Sequence, residues 1–344
     1  MRAAARNVAQ GSYVKILIVR VSSLGDVLHN MPMVADLRRQ FPAAIIDWVV
    51  EEAYVSLVRL NAGVDEVIPI ALRRWRKGLF RAATSRTVRD EMAAFYRHLR
   101  VKEYDLIFDT QGLLKTGLVM GMARLAAHGR RVGLANATEG SGYEAISRVF
   151  HTQSIQVASL CHAVERARVV AAAALDYSLN SPADFNLSAP LPTPTALSWL
   201  PETSYAVFFH ATARAAKQWP VQDWIGLGKR CGERGLPVLL AWGDQKERLV
   251  AEELAAGIPN ARVLPKLSMQ DAMILAQRAS LVVGVDTGLT HIAAAFCRPT
   301  VEIYCDSPRW KTEGNWSPNI INCGDVGQSP SLTEVDAAVA KLVG

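Results

Sequence analysis

The segment VDTGLTH (285–291) concentrates more usable chemistry than any other seven residues of the chain. Asp286, Thr287 and Gly288 stand between an apolar strand-like run and a helix-like one, with His291 about one turn into the latter. Free backbone amides at a helix start bind phosphate oxygens, and a glycine there lets the phosphate approach closely. The ordinary alternative is an Asp-Thr cap with a partly buried histidine. It accounts for Asp286 and Thr287 but not for the glycine that follows at once.

Three further turns have the same strand-to-helix character. In HATARAAKQWP (210–220), Thr212, Arg214 and Lys217 gather after an apolar run. A lysine beside a helix start adds a point charge to the amides and suits a diphosphate, whereas an ordinary surface lysine has no such duty. In WGDQKER (242–248), Asp244 or Glu247 would accept hydrogen bonds from a ribose diol or serve in a solvated helix cap. In VRVSSLGDVLH (19–29), Ser22, Ser23, Gly25 and Asp26 crowd a helix start, and a capping role is one reading. The other makes Asp26 a general base that takes a proton from an attacking hydroxyl. The two are compatible. No GxGxxG stands after the first strand, which argues against a dinucleotide.

A charge run adds a different feature. From Arg73 to Lys102 there are ten Lys and Arg residues against Asp90 and Glu91, beginning with RRWRK. Such a run is usually a solvated helix face; its aromatic and basic mixture also suits an anionic, membrane-borne acceptor.

These loops need rigid elements behind them. KILIVR (15–20), IIDWVV (45–50), EVIPI (66–70) and YDLIFD (104–109) read as strands, with helical patterns at 26–40 and 113–127. After a break, strands are predicted at 205–210, 237–242, 262–264, 281–286 and 300–304. Helices alternate with them at 221–234, 246–256, 268–278 and 290–297. The break, 181–204, is proline-rich and polar and reads as a linker. The expectation is α/β, with a Rossmann-like doubly wound domain over 1–180, a second over 205–330, and a last helix (331–344) that crosses back to the first. Ligands then belong in a central cleft, outside the carboxyl ends of the strands.

Bulk properties set limits. A chain of 344 residues, half of them hydrophobic and a fifth charged, is globular and long enough for two cores. A net charge of +6 favours an anionic ligand without asking for nucleic acid. Five cysteines in no CxxC pair suggest reduced thiols, and no His/Cys cluster or paired acidic motif asks for a metal. The first thirteen residues lack an apolar core, so no signal peptide is expected, and the apolar runs fall short of a membrane span.

Taken together, SSLGDVLH, IDWVVEE, VIPIALRRWRK, YDLIFDTQGLLK, CHAVER, HATARAAKQWP, VLPKLSM and VDTGLTH resemble the lipopolysaccharide heptosyltransferases, nearly throughout from Lys15 onward. RRWRK, DTQGLLK and HAVER favour the branch that adds the first heptose over the one that adds the second. The resemblance implies an inverting GT-B enzyme that moves heptose from ADP-heptose to the Kdo of Kdo2-lipid A. It implies Asp26 as catalytic base and Thr212, Lys217, Asp286, Thr287, Gly288 and His291 on the donor. Ser23 and Gly25 would lie beside the donor, and Glu247 would take its ribose. Arg73, Arg74, Arg76 and Lys77, with Gln111, Lys115 and His162, would face the acceptor. Two departures stand out: Ala213 where relatives often carry a second Thr, and Tyr304-Cys305-Asp306-Ser307 in place of a Tyr-Gly-Pro-Thr turn.

The expected protein is therefore a cytoplasmic glycosyltransferase resting on the inner membrane's cytoplasmic face, needing neither metal nor cofactor and binding no nucleic acid. The competing readings are a heptosyltransferase with another core acceptor, a sugar-nucleotide epimerase of the same fold, and a non-catalytic nucleotide-sugar binder.

Overall fold

Alternation of apolar strands with helices carries through the whole chain in a computed structural model, which describes residues 14–81, 86–212 and 214–343, the side chains of 77–81 excepted. Two units result, Met1–Asn186 and Leu187–Gly344. The first runs β1 (Lys15–Val19), α1 (Leu24–His29), α2 (Met31–Gln40), β2 (Ile45–Glu51), α3 (Val55–Val58), β3 (Glu66–Ile70), α4 (Leu72–Arg81) and α5 (Arg86–Leu99). It continues with β4 (Glu103–Asp109), α6 (Leu114–Met122), β5 (Arg124–Leu134), β6 (Gln153–Ile155) and α7 (Ala163–Leu175). Its six strands are parallel in the order β3-β2-β1-β4-β5-β6, with Ile18 of β1 opposite Trp48 and Phe108. β1 is buried on both faces, as continuous apolar strands in parallel sheets are.

The second unit runs α8 (Pro194–Trp199), β7 (Ala206–Phe209), α9 (Val221–Glu233), β8 (Val238–Leu240), α10 (Gln245–Gly257), β9 (Arg262–Val263) and α11 (Met269–Arg278). Then come β10 (Leu281–Val285), α12 (Gly288–Ala295), β11 (Thr300–Tyr304), β12 (Ile320–Gly324) and α13 (Leu332–Val343). Its sheet, β12-β11-β10-β7-β8-β9, repeats the order of the first. In both, the strand order reverses between the first and fourth strands, where doubly wound sheets bind ligands. Phe208, Trp219 and Trp224 cluster beneath β7, with ring centroids 4.9 and 5.1 Å apart. Burial of such large apolar side chains is worth about 1.5–3 kcal/mol each.

The departures from expectation have local causes. The helix predicted over 26–40 is two helices, broken at Asn30, because Pro32 opens α2 and can donate no hydrogen bond to an earlier turn. The helix predicted over 113–127 ends at Met122, and the chain turns into β5 instead. Linker residues divide between the units. Asn61 Nδ2 donates to Phe185 O at 2.9 Å, while Ala196 and Trp199 of α8 are buried beyond the boundary. The last helix packs on α9 and β11, with Val335, Ala338 and Val339 inside the second core.

Candidate functional site

In the first unit, residues after β1 and β4 interlock. Ser23 occupies the N-cap of α1, and Asp26 Oδ2 accepts from its amide (3.1 Å) and its hydroxyl (2.9 Å). Capping is therefore real. It uses only one carboxylate oxygen. Oδ1 faces two buried guanidiniums, Arg20 Nη2 at 2.7 Å and Arg166 Nη2 at 3.5 Å, while 38% of the Asp26 side chain stays exposed. Burial pushes the Asp26 pKa up, but Arg20, Arg166 and the Ser23 bonds outweigh it and hold the carboxyl well below its ordinary value. Burial, aided by Arg20, pulls Arg166 down to about 10. Gly25 opens the first turn of α1 beside His29, 4.0 Å from where a Cβ would stand.

The exit of β4 is built on Asp109, a residue that composition alone does not single out. Its Oδ1 accepts from the amides of Gln111 (2.9 Å) and Gly112 (3.0 Å), and its Oδ2 from Thr116 Oγ1 (3.0 Å). Gly112 has φ +71°, which favours glycine, and a Cβ there would meet the Tyr143 ring at 3.0 Å. So anchored, Gln111 Oε1 accepts from Val21 N (3.1 Å), and Lys115 Nζ reaches Ser22 Oγ (3.3 Å). Burial lowers the Lys115 pKa first, and Arg73, Arg20 and Arg76 lower it further against the opposing Glu51. The structure thus brings Arg73, Arg76, Lys115, Gln111 and Asp26 to one end of the sheet.

The other expected acceptor residues whose side chains are described have partners within the unit. Arg74 is held by Glu52 (3.1 Å) and Glu91 (2.6 Å), and Lys102 by Asp47 and Glu66, so these two cations of the basic run are already paired. His162 caps α7, its Nδ1 accepting from Val164 N at 3.3 Å; the same segment reaches Asp26 through Arg166, one turn later. The Lys77 side chain and Ala213 lie outside the described residues.

In the second unit the donor candidates form one charged chain. Lys217 ends a short turn (Ala215–Lys217) that Trp219 anchors, its Nε1 donating to Pro330 O at 2.8 Å. The Lys217 ammonium pairs with Asp286 Oδ2, and Asp286 Oδ1 accepts from His291 Nε2 at 3.0 Å. His291 Nδ1 donates to Glu302 Oε1 at 2.8 Å, and Glu302 Oε2 accepts from Tyr304 Oη (3.0 Å) and Gly314 N (2.8 Å). Burial pushes the His291 pKa down, but Glu302 and Asp286 outweigh it and raise it to about 10. Burial likewise raises Asp286, and His291 with Lys217 hold it well below the usual carboxylate range instead.

Thr287 is the N-cap of α12, yet its side chain makes no capping bond, and Gly288 is the first helical residue. Asp286 is engaged elsewhere. The start of α12 is therefore left to its backbone amides, which suits an anion. Thr212 lies at the exit of β7, and His210 Nε2 donates to Glu247 O at 3.2 Å, tying that exit to α10. Asp244 caps α10, and Glu247 Oε2 accepts from Gly243 N at 2.6 Å, leaving Oε1 for another donor. Glu302 was missed at the level of sequence, although a glutamate inside the apolar strand TVEIY is itself a signal. Cys305, in the divergent turn after β11, is buried and accepts from Ser329 Oγ at 3.4 Å.

The family model for glycosyltransferase family 9 (heptosyltransferase) matches residues 92–340. Lipopolysaccharide heptosyltransferase 1 of Pseudomonas aeruginosa is 39% identical over 292 residues, 84% of this chain and 78% of that one. The structure of Escherichia coli heptosyltransferase WaaC with ADP matches with a TM-score of 0.79 at 34% identity, covering 95% of this chain and 98% of that one. The same enzyme with ADP-2-deoxy-2-fluoro heptose matches with a TM-score of 0.74, at the same identity and coverage. The expected class, α/β with two Rossmann-like units of the GT-B type, therefore stands.

Proposed function

The chain belongs to glycosyltransferase family 9, the heptosyltransferases, and on that premise we propose that it moves L-glycero-D-manno-heptose from ADP-heptose to the first Kdo of Kdo2-lipid A in lipopolysaccharide inner-core assembly. The observation that carries the donor assignment is the start of α12, uncapped by side chains and flanked by Lys217 and His291. The diphosphate sits there, with Thr212, Thr287 and Gly288 beside it and the free Glu247 oxygen on the ribose. Preorganised donors of this kind are worth roughly 3–4 kcal/mol each as charge grows on a leaving group.

The acceptor's phosphates and carboxylates lie against Arg73, Arg76 and Lys115, with Gln111 holding the β1 exit in place. The Kdo hydroxyl attacks the anomeric carbon and inverts it as ADP leaves, and Asp26 takes the hydroxyl proton. An ion-paired carboxylate is a weak base in the ground state. It suffices when the proton is lost late, because the attacking oxygen becomes strongly acidic as its bond to carbon forms. Lys217, His291 and the α12 amides meet the diphosphate's charge, so no metal and no cofactor enter this reading. Among the described residues no helix is long and apolar enough to cross a membrane, and we place the enzyme peripherally on the cytoplasmic face of the inner membrane, where its lipid acceptor lies.

The test is ADP release from ADP-heptose, with and without Kdo2-lipid A, by the wild type and Asp26→Ala. Release that needs Kdo2-lipid A and vanishes in a folded variant supports the reading. Consumption of an already heptosylated core instead reassigns the acceptor. Conversion of the sugar without acceptor makes the protein an epimerase, and binding without turnover makes it a scaffold.

A further inference from the structure

The buried chain behind the donor site ends on a residue to which the proposed reaction gives no role. Glu302 points from the middle of β11 into the second unit and is wholly buried, as is His291 in front of it. A carboxylate accepts hydrogen bonds and donates none. With Glu302 Oε1 at 2.8 Å from Nδ1 and Asp286 Oδ1 at 3.0 Å from Nε2, each ring nitrogen of His291 faces a carboxylate oxygen, and both must carry protons to satisfy them. The other Glu302 oxygen is already filled by Tyr304 Oη and Gly314 N, so the carboxylate cannot turn away.

We infer that Glu302 is a positioning residue of the donor site: it fixes the ring of His291 from behind and keeps it an imidazolium, so that a positive charge, held through Nε2 on Asp286, stands beside the start of α12 where an anion binds. This rests on the donor reading above. Charge counting carries it. Lys217 and His291 as cations balance Asp286 and Glu302, giving a neutral cluster that admits a diphosphate. With His291 neutral the same cluster carries one net negative charge beside the phosphates and repels them.

In the segment that brings Thr312 and Gly314 to the cluster, Arg309 Nε pairs with Glu313 Oε2 at 3.0 Å, and Lys311 has a partner of its own. On α11, which packs against α12, Asp271 bonds Thr193 and Ser268, and Arg278 lies by Tyr205. Thr312 Oγ1 reaches Asp286 Oδ1 at 3.4 Å and is neutral. Tyr304 is held protonated by burial and by Glu302. The protonation of His291 is therefore set by Glu302 and Asp286, and of these only Glu302 lies behind the ring, away from Lys217.

The experiment uses the full chain. The His291 ring is titrated by NMR from pH 5 to pH 10 without ligand, and ADP affinity is measured calorimetrically from pH 6 to pH 8.5, for the wild type and Glu302→Gln. The expected wild-type ring stays protonated through pH 8. In Glu302→Gln it titrates near the ordinary histidine value of about 6.5, and ADP affinity falls roughly tenfold more than in the wild type as pH rises past it. In a His291→Gln background, Glu302→Gln should change ADP affinity no further. A wild-type ring that is neutral at pH 7.5 overturns the inference, and this measurement decides it even where Glu302→Gln does not fold. So does an ADP pH profile that Glu302→Gln leaves unchanged. If the wild type binds no ADP at any pH, the donor reading itself fails, and the ligand-free titration tells the two failures apart.

Discussion

Arg20 Nη2 and Asp26 Oδ1 lie 2.7 Å apart and close the loop between β1 and α1 on itself. The arginine is fixed at two other points: its Nη1 donates to Thr110 O, and its carbonyl accepts from Trp48 Nε1 at 3.0 Å. Asp26 is thus oriented by groups from β1, α1 and α7 at once. Position, more than basicity, is what this arrangement secures for the proposed base.

Asp26→Asn separates the two duties of that residue. The amide oxygen still accepts from Ser23, so helix capping and fold are expected to persist. The proton acceptor is lost, and kcat for heptosyl transfer should fall by about 10²–10⁴, the usual contribution of a general base. Circular dichroism and a thermal melt check the fold, and ADP release checks the rate. A folded Asp26→Asn with wild-type turnover removes the residue from the mechanism.

The depressed pKa of Asp26 gives a direction to the pH dependence. Its folded value lies below the unfolded one of about 3.9, so its contribution to stability is fully present above that pH. It is lost as pH falls through the folded value. The melting temperature of the wild type relative to Asp26→Asn should hold constant from pH 5 to pH 7 and shrink toward pH 3. Over pH 5–8 the rate profile should show no acid limb from this group. An acid limb near pH 6 that disappears in Asp26→Asn would contradict the ion-paired state.

The strand exits carrying Asp26 and Asp286 were legible because apolar runs give way there to Ser, Thr, Gly and Asp, the residues that start helices. The exit carrying Lys217 was legible because Thr, Arg and Lys gather after an apolar run; Gln111 was reached only through the family resemblance. β5 was not. RLAAHGRRVGL holds few β-branched residues, and its strand state comes from pairing with β4, a tertiary cause. Nor could spacing show that Arg166, 140 positions away, meets Asp26. In the HAVER segment the His162 ring caps a helix, and the arginine one turn on pairs with Asp26. Arg74 shows the converse: its neighbours in sequence suggest an anion site, but its partners Glu52 and Glu91 come from other elements.

That difference among adjacent arginines predicts a split in acceptor binding. Arg73→Ala and Arg76→Ala remove cations that lie near Lys115 and should each raise the acceptor KM severalfold, more at low salt than at high. Arg74→Ala removes an exposed, already paired cation and should leave that KM within twofold. Initial rates with varied Kdo2-lipid A at two ionic strengths make the comparison. An equal effect of all three, or a larger one from Arg74, would reverse the assignment of faces.

Gly284, in β10 just before the donor loop, tests how closely that loop is packed. A Cβ there would stand 2.1 Å from Thr290 Oγ1 and 3.0 Å from Phe209 Cβ, neither of which has room to retreat. Thr290 Oγ1 donates to Val285 O at 2.9 Å and so ties the first turn of α12 to the end of β10. Gly284→Ala must push α12 away from the strand, at a cost of about 1–3 kcal/mol by the usual measure of overpacking. Because α12 carries Gly288 and His291, the same shift should weaken ADP binding while the acceptor KM stays unchanged. Denaturant melts and calorimetry with ADP provide the measurements. Loss of stability with ADP affinity intact would mean that the start of α12 is not where the diphosphate sits.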